Sequence, residues 1–317
     1  MEVQKEQTVQ YAQEIIRQVR QVIVGKDKTL LWVLATVLAG GHILLEDLPG
    51  MGKTTMALAF SRVLGLKCNR MQFTPDVLPS DVTGYSVLQP GSGEMVYRPG
   101  AVLCNLFLAD ELNRATSRTQ SALLEAMEEG QVTVDGISHP IPQPFTVIAT
   151  QNPTGAAGTQ RLPDSQLDRF MVRLSLGYPN AREEVNMVLS RQKKDPMKLL
   201  EPLMDPERMI ALQHLVADTY IKDDVVKYIV NLITATRKDE DIAQGASPRA
   251  TLSVAAMSKS IARLQGRDYV IPEDVSSVFV GTVAHRIFLT PAAIARGESC
   301  EAVLQRILDR VKAPRLS

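Results

Sequence analysis

The feature that most constrains this chain is a glycine-rich loop between an apolar run and a helical pattern. The loop Pro49–Thr55 follows the apolar strand pattern His42–Leu45 and precedes a helical pattern over Thr54–Leu64. Glycines let such a loop curl until successive backbone N–H groups point at one anion, and a helix N-terminus adds its positive dipole end. The sequence therefore predicts a phosphate-binding loop on an α/β scaffold.

Two side chains of the loop carry the chemistry. Lys53 is placed to reach the β- and γ-phosphates of a nucleotide, and the Thr54 hydroxyl is placed to hold Mg²⁺. The strict phosphate-loop pattern also has a glycine where this chain has Asp47. The loop therefore matches only in its Pro-Gly-x-Gly-Lys-Thr half, and the alternative is a glycine-rich turn that happens to precede a helix.

A second element supports the first. The apolar run Leu106–Ala109 ends in Asp110 and Glu111, and α/β sheets bind ligands at the carboxyl ends of their strands. Asp110 is predicted to hold the Mg²⁺ shell and Glu111 to polarise the attacking water. Taken alone, such a pair is better explained as a helix cap, but a phosphate loop upstream favours the catalytic interpretation.

Three further residues supply the polar and cationic groups that phosphoryl transfer needs around the γ-phosphate. Asn152 ends the apolar run Phe145–Gln151 and could orient the water, or merely cap a turn. Arg169 precedes a predicted strand and Arg249 opens a predicted helix. Each arginine could also belong to an ordinary ion pair.

The pattern of predicted secondary structure changes near residue 198. Before it, short β-rich runs alternate with helical patterns, which is typical of a mostly parallel sheet with helices on both faces. These runs are His42–Glu46, Lys67–Phe73, Leu106–Asp110, Phe145–Thr150 and Met171–Leu176. After it, helical patterns follow one another: Asp205–Tyr220, Asp224–Lys238, Pro248–Leu264 and Pro272–Thr282. We therefore predict an α/β domain over 1–198 and an all-helical domain over 199–317.

Two segments of the first domain have hairpin signals. Residues 131–141 alternate apolar and polar side chains around Asp135-Gly136, a strong two-residue turn signal. Residues 85–98 do so more loosely around a Pro-Gly-Ser-Gly turn. Loop statistics alone leave open whether these hairpins have a function.

The composition limits which classes of binding partner and which cellular compartment are expected. The 35 basic and 35 acidic residues of the 317 cancel, which argues against a nucleic-acid binder without excluding a local patch. Cys68, Cys104 and Cys300 have no metal-ligand spacing and are expected to be reduced thiols. With no predicted membrane span or apolar leader, a cytoplasmic location is expected.

The motifs, in this order, resemble those of AAA+ ATPases, and more narrowly those of the MoxR family. The resemblance runs from about Val24 to about Leu289 and rests on Leu44–Gly50, Ala109–Arg114, Gln120–Met127, Ala149–Pro153, Leu167–Phe170 and Ser247–Arg249. Asp47 in place of glycine is itself typical of this family. The resemblance implies an AAA+ P-loop parallel sheet of order 5-1-4-3-2 with helices on both faces, followed by an all-α lid domain.

The resemblance also implies roles for individual residues. Nucleotide contacts fall on Val24 and Gly25 at the adenine, on the Walker A residues Pro49, Gly50, Met51, Gly52, Lys53, Thr54 and Thr55, and on Asp110, Asn152 and Arg249. Thr54 and Asp110 match the Mg²⁺ ligands, Glu111 the catalytic carboxylate and Asn152 the first sensor. Arg169 matches the arginine finger presented to the adjacent subunit, and Arg249 the second sensor.

The family further implies ATP and Mg²⁺ as cofactors and assembly into a homo-oligomer, expected to be a hexameric ring. Its two hairpin inserts would face the pore. Members act as chaperone-like remodellers of a protein client, often with a von Willebrand factor A-domain partner. A nucleic-acid-associated ring motor and a nucleotide-gated scaffold with little turnover remain alternatives. Arg114 and Arg118 could form an inter-subunit pair or merely belong to a solvated helix face.

Overall fold

The computed structural model describes residues 2–47, 50–91, 93–151, 162–193 and 195–315, with the backbone alone for 2–7 and 190–193. Helices and strands are numbered separately in chain order. The first part of the chain contains α1 (Glu2–Val19), α2 (Asp27–Leu38), β1 (Ile43–Glu46), α3 (Lys53–Val63), β2 (Cys68–Gln72), α4 (Pro79–Thr83), β3 (Gly84–Leu88), β4 (Met95–Pro99), β5 (Leu106–Asp110), α5 (Ser117–Glu129), β6 (Gln131–Val134), β7 (Ile137–Pro140), β8 (Thr146–Gln151), α6 (Asp164–Leu167), β9 (Val172–Leu174) and α7 (Ala181–Lys193).

Five of these strands form one parallel sheet in the order β2-β5-β8-β1-β9. Counting only the strands of this sheet along the chain, the order is 5-1-4-3-2, so the predicted fold class is confirmed. All residues of β5 and β8 are buried, as expected for central strands covered on both faces. The carboxyl ends of β1, β5 and β8 therefore lie side by side at one edge of the sheet.

Successive side chains of each strand point to opposite faces, and two separate hydrophobic clusters result. Ile43 and Leu45 belong to a cluster that continues through α1, α2 and α3 into the last third of the chain. Leu44 and Phe107 belong to the second cluster, which also includes buried residues of α5. Full burial of each such side chain stabilises the fold by about 1.5–3 kcal/mol.

Antiparallel hairpins lie at both predicted positions. β3 pairs with β4 and β6 pairs with β7, and Asp135 and Gly136 between the latter two strands have positive φ, as a two-residue hairpin turn requires. Tyr97 of β4 stacks on His139 of β7, with ring centroids 3.6 Å apart. The stack joins the two hairpins on one face of the sheet.

The remainder of the chain forms a helical lid. Its elements are α8 (Pro206–Ala217), α9 (Asp223–Thr236), β10 (Ile242–Gln244), α10 (Pro248–Leu264), α11 (Pro272–Val283), β11 (Phe288–Leu289), α12 (Pro291–Ala295) and α13 (Cys300–Arg310). Proline at the first position of α8, α10 and α11 matches the start signals in the sequence.

The lid differs from an all-helical domain in one detail. β10 and β11 pair antiparallel, although the two segments are short and separated by α10 and α11. Two or three residues carry no readable period-2 pattern, so their pairing depends on the helix packing that brings them together. A 3₁₀ turn covers Pro196–Leu199 at the predicted boundary, and the boundary itself stays a prediction.

Candidate active site

The phosphate loop joins β1 to α3 through two glycines in conformations that other residues avoid. Gly50 and Gly52 both have φ of 86°, in the left-handed region where a Cβ is strained. A Cβ on Gly50 would meet nothing within 4 Å, so space lies open above the loop. Lys53 is the first residue of α3, which brings the loop to the positive end of the helix dipole.

Asp47, the departure from the strict pattern, anchors the loop to the segment that follows β9. Its carboxylate accepts hydrogen bonds from the Ser175 hydroxyl at 2.6 Å and from the backbone N–H groups of Leu176 at 2.6 Å and Gly177 at 3.0 Å. These donors follow β9 in the chain. A glycine at position 47 could not make these bonds, so the entrance of the loop is held by a side chain.

Lys53 lies at the bottom of the site with 7% of its surface exposed. Its Nζ donates to the backbone oxygen of Asp47 at 2.7 Å, and an ammonium has three N–H donors. Burial lowers the pKa of Lys53, while the carboxylates of Asp47, Asp110 and Glu111 oppose that shift. The ammonium is thus held in place within reach of an anion over the loop.

Asp110, at the end of β5, binds side chains from three other elements. Its Oδ1 accepts from the Thr150 hydroxyl at 2.7 Å, and its Oδ2 from Arg70 Nη2 at 2.7 Å and Thr54 Oγ1 at 3.3 Å. Burial raises the pKa of Asp110, but the hydrogen bonds from Arg70 and Thr150 outweigh burial and the net pKa is lowered. The carboxylate is therefore ionised at neutral pH.

Glu111 is held in an uncommon backbone conformation beside Asp110. It has φ of 56°, and its backbone N–H donates to Thr150 Oγ1 at 2.8 Å. Its carboxylate accepts from Arg114 Nη1 at 2.8 Å. The sequence leaves open whether Arg114 and Arg118 act between subunits. Arg114 pairs with Glu111 of its own chain, whereas Arg118 is exposed on α5.

These groups line a cleft with a volume of about 860 Å³, within the range of small-molecule sites. Its other end lies between the segment Val22–Val24 and the residues leading into and along α7, among them Tyr178 and Met187. Gly25 has φ of 76°, and a Cβ there would lie 2.0 Å from the Glu183 side chain. The backbone thus packs closely beside the end of the cleft where the family resemblance puts adenine.

The cleft fits Mg²⁺ only together with a phosphate ligand. Among the described residues, no group of three or more His, Cys, Asp or Glu side chains could hold a metal ion. The Thr54 hydroxyl and the Asp110 carboxylate lie 3.3 Å apart above the phosphate loop. Mg²⁺ is commonly bound by one or two such oxygens, several waters and substrate phosphates, and this donor set suits it.

Arg169 and Arg249 lie outside the cleft and bind a common carboxylate, that of Glu128. Arg169 donates from Nε to Glu128 Oε2 at 2.9 Å, and Arg249 donates from Nη2 to Glu128 Oε1. Neither arginine lines the cleft that contains Lys53. The predicted contact of Arg249 with nucleotide therefore stays a prediction, since Arg249 lies outside the cleft of its own chain. Arg249 is the second residue of α10. The sequence pattern predicted where that helix starts but not which residues would lie beside it.

The cleft brings together most of the residues predicted to bind nucleotide. Lining it are Val24, Gly50, Met51, Gly52, Lys53, Thr54, Thr55, Asp110 and Glu111. Pro49 and Asn152 lie outside the described residues, so their roles stay predictions. Sequence reasoning missed Arg70, Thr150 and the contribution of α7. Arg70 and Thr150 lie in predicted strands, and only the register of the sheet reveals that both reach Asp110.

Other features of the described residues add no second metal or redox site. Cys68, Cys104 and Cys300 are free thiols, and burial raises the pKa of Cys104 to about 12. Within the described ranges, every helix is too short or too polar to span a membrane.

Comparison with known proteins identifies the two parts of the chain separately. Residues 42–172 match the ATPase family associated with various cellular activities (AAA). Residues 234–307 match the AAA lid domain. The first match contains the phosphate loop and four of the five strands of the parallel sheet, and ends at the first residue of β9. The second match contains α10, α11, α12 and most of α13.

Similarity to individual proteins extends over nearly the whole chain. The chain is 44% identical over 299 residues to the uncharacterized protein YeaC of Bacillus subtilis, covering 94% of this chain and 93% of that one. It is 39% identical over 311 residues to the chaperone MoxR1 of Mycobacterium tuberculosis, covering 95% and 82%. A crystal structure from Cytophaga hutchinsonii, described as a candidate ATPase, matches with a TM-score of 0.90 and 33% identity over 98% of this chain and 97% of that one. The chain belongs to the MoxR family of AAA+ ATPases.

Proposed function

We propose that this protein binds ATP with Mg²⁺ in the cleft and hydrolyses it to ADP and phosphate. The observation that carries the proposal is the convergence of Lys53, Thr54, Asp110 and Glu111 at one end of a nucleotide-sized cleft. A phosphate loop, a hydroxyl, a strand-end carboxylate and a second carboxylate are the parts that phosphoryl transfer to water requires.

Each side chain has a task set by its contacts. Lys53 binds the β- and γ-phosphates, and Thr54 and Asp110 hold Mg²⁺, which when bound neutralises charge on the phosphate oxygens. Glu111 accepts hydrogen bonds from the attacking water and draws its proton away. The salt bridge with Arg114 keeps the carboxylate of Glu111 oriented at the rim of the cleft.

The positions of Arg169 and Arg249 support an assembly in which one chain completes the site of another. Both guanidinium groups are partly exposed on the side chain of Glu128, outside the cleft of their own chain. A cation that reaches the γ-phosphate from a neighbouring chain accelerates hydrolysis about 10³–10⁵-fold. We therefore propose a homo-oligomeric ring, hexameric as the family resemblance implies, with Arg169 acting across the subunit interface.

The test mixes two inactive proteins. Arg169→Ala should keep ATP affinity and lose hydrolysis, and Glu111→Gln should be inactive in its own site. In a one-to-one mixture, an Arg169→Ala chain keeps Glu111 and takes Arg169 from a Glu111→Gln neighbour. Phosphate release should partly return once a labelled tag confirms subunit exchange. A mixture as inactive as its parents, despite exchange, would show that Arg169 does not act across the interface.

We further propose that hydrolysis drives chaperone-like remodelling of a protein client in the cytoplasm. A relative of this chain is named a chaperone, and both hairpins carry exposed apolar side chains, including Leu88, Met95 and Ile137. Such side chains suit contact with unfolded protein. A partner with a von Willebrand factor A domain rests on the family resemblance, and titrating such a purified domain into the ATP-bound protein tests it.

Two other functions make different predictions. A nucleic-acid motor should retain DNA on a filter at low salt, although the balanced charge of the chain argues against it. A nucleotide-gated scaffold should bind ATP and release almost no phosphate. Measuring DNA retention and phosphate release on the same preparation separates all three functions.

A further inference from the structure

The residue before Arg169 is bound by the lid. Asp168 is the C-cap of the short helix α6, and its two carboxylate oxygens lie 3.0 and 2.9 Å from the Ser247 hydroxyl. Ser247 is the N-cap of α10, two residues before Arg249. The segment that carries Arg169 and the segment that carries Arg249 are therefore joined by a direct hydrogen bond.

The residue after Arg169 is bound by the lid as well. The backbone oxygen of Phe170 accepts hydrogen bonds from Arg286 Nη2 at 2.7 Å and from His285 Nε2 at 2.8 Å. Both donors belong to the 3₁₀ turn that follows α11. Arg286 Nε also lies 3.6 Å from Asp168 Oδ1, so a single guanidinium contacts the residues on both sides of Arg169.

Arg286 is an unusual residue to find in this place. Its side chain is 1% exposed, and charged side chains are rarely buried unless they are paired. Burial lowers the pKa of Arg286 to about 10, an effect that Asp168 opposes, so the guanidinium stays charged at neutral pH. A fold that needed only packing here could use an apolar side chain, which costs less to bury.

We propose that Arg286 is a positioning residue for Arg169. Arg286 binds the Phe170 carbonyl and the Asp168 carboxylate. These contacts fix the orientation of the Arg169 side chain between them and couple that orientation to the position of the lid. The hydrogen bond from Ser247 to Asp168 is a second contact between the lid and the same segment. The proposal rests on the proposed role of Arg169 across the subunit interface, since Arg286 itself is buried and does not line the cleft.

The first variant is Arg286→Lys, which keeps the charge but replaces a fork of donors by one ammonium. A misplacement of about 1 Å in a catalytic group can cost about 100-fold in rate, so turnover should fall about ten- to a hundredfold with ATP affinity unchanged by calorimetry. Addition of inactive Glu111→Gln protein should raise phosphate release per Arg286→Lys chain, because the neighbour supplies a correctly held Arg169.

A milder pair of variants guards against loss of folding. Ser247→Ala removes the hydroxyl bond to Asp168, and Ser260→Ala removes a matched hydroxyl bond, from the same helix to the Ala35 carbonyl at 2.8 Å. Amide hydrogen exchange of residues 164–172, measured by mass spectrometry without nucleotide, should speed up in Arg286→Lys and Ser247→Ala. Exchange in Ser260→Ala should match that of the unaltered protein.

Three results would overturn the proposal. Unaltered exchange over 164–172 in both junction variants would show that these contacts do not hold the segment. An activity loss in Arg286→Lys that Glu111→Gln protein does not relieve, while Arg169→Ala is relieved in parallel, would place the defect in the chain's own site. If Arg169→Ala is not relieved either, the interface role proposed above fails and this inference fails with it.

Discussion

Arg169 and Arg249 bind the two oxygens of a single carboxylate, that of Glu128, although one arginine lies in the α/β domain and the other at the start of the lid helix α10. Hydrogen bonding from Arg169, with the charge of Arg249, holds the pKa of Glu128 below its usual value. The two guanidinium groups and the carboxylate between them therefore form one cluster with a net positive charge.

The shared carboxylate predicts how Arg249→Ala behaves. Because Arg249 does not line its own cleft, the variant should bind ATP as tightly as the unaltered protein while turnover falls. Mixing it with Glu111→Gln protein should restore part of the phosphate release, as for Arg169→Ala. A large loss of ATP affinity in calorimetry, with no rescue on mixing, would return Arg249 to the site of its own chain.

Lys53→Met should abolish nucleotide binding and leave the fold intact. The methionine keeps most of the buried stem but removes the ammonium that faces the phosphates, and a hydrogen bond to a charged group contributes about 1.5–3 kcal/mol. Titration calorimetry with ATP measures the effect, and Lys53→Ala should behave alike. Circular dichroism serves as the folding control, and unchanged ATP affinity would contradict the phosphate-loop assignment.

Glu111→Gln should bind ATP normally and lose turnover by about 10²–10⁴-fold, the range for a general base. The amide keeps the size of the side chain but cannot take a proton from water. Glu125→Gln makes the same chemical change at an exposed position of α5 and should leave phosphate release unaltered. Near-normal turnover in Glu111→Gln would move the base to another residue.

Asp47→Gly would bring the chain closer to the strict phosphate-loop pattern, yet it should destabilise the protein. The change leaves the Leu176 and Gly177 N–H groups without their carboxylate partner, and each buried donor left unpaired costs about 1–3 kcal/mol. The urea midpoint of unfolding should fall, and Asp47→Asn should fall less because one amide oxygen remains. An unchanged midpoint in Asp47→Gly would mean that these bonds contribute nothing to stability.

His42, which is half-buried, and His285, which is buried, predict an acid-sensitive fold. Burial lowers the pKa of His42 to about 4 and that of His285 well below its usual value. In the unfolded chain both titrate near 6.5, so between pH 6.5 and about 4 the unfolded state binds the extra protons. Stability is therefore complete above pH 6.5 and falls with decreasing pH by up to about 1.4 kcal/mol per pH unit for each histidine.

Urea unfolding at intervals from pH 6.5 to 5.0 measures that slope. His42→Gln removes one of the two titrations and should make the dependence of unfolding free energy on pH less steep. His214→Gln, at an exposed position of α8, is the matched control and should leave the slope unchanged. Equal slopes in the unaltered protein and His42→Gln would contradict the prediction.

The elements predicted well are those whose signals are contiguous in the chain. Leu106–Asp110 was predicted with the bounds that the structure has, because a short apolar run ending in carboxylates marks both a buried strand and its functional end. Pro248–Leu264 was also predicted with its observed bounds, since a serine-proline start and a long apolar period mark a helix. The strand order came from the family resemblance.

The contacts that the sequence did not reveal join residues far apart in the chain. Arg70 reaches Asp110 only because β2 lies beside β5 in a register that pairs Gln72 with Asp110. Asp47 meets the residues after β9 only because β1 pairs with that strand. A shift of register by one residue would turn each side chain to the opposite face, and no local pattern specifies that choice.

The sequence by itself determined the phosphate loop, the adjacent carboxylates and the division into a sheet domain and a helical lid, because backbone preference and apolar periodicity are local properties. Tertiary structure alone decided that Arg169 and Arg249 meet on Glu128, and that Arg286 contacts both residues beside Arg169. The physical reason is that packing of the lid against the sheet is set by the sum of many apolar contacts. The orientation of a side chain such as Arg169 depends on how the lid packs against the sheet and not on the residues next to it in the chain.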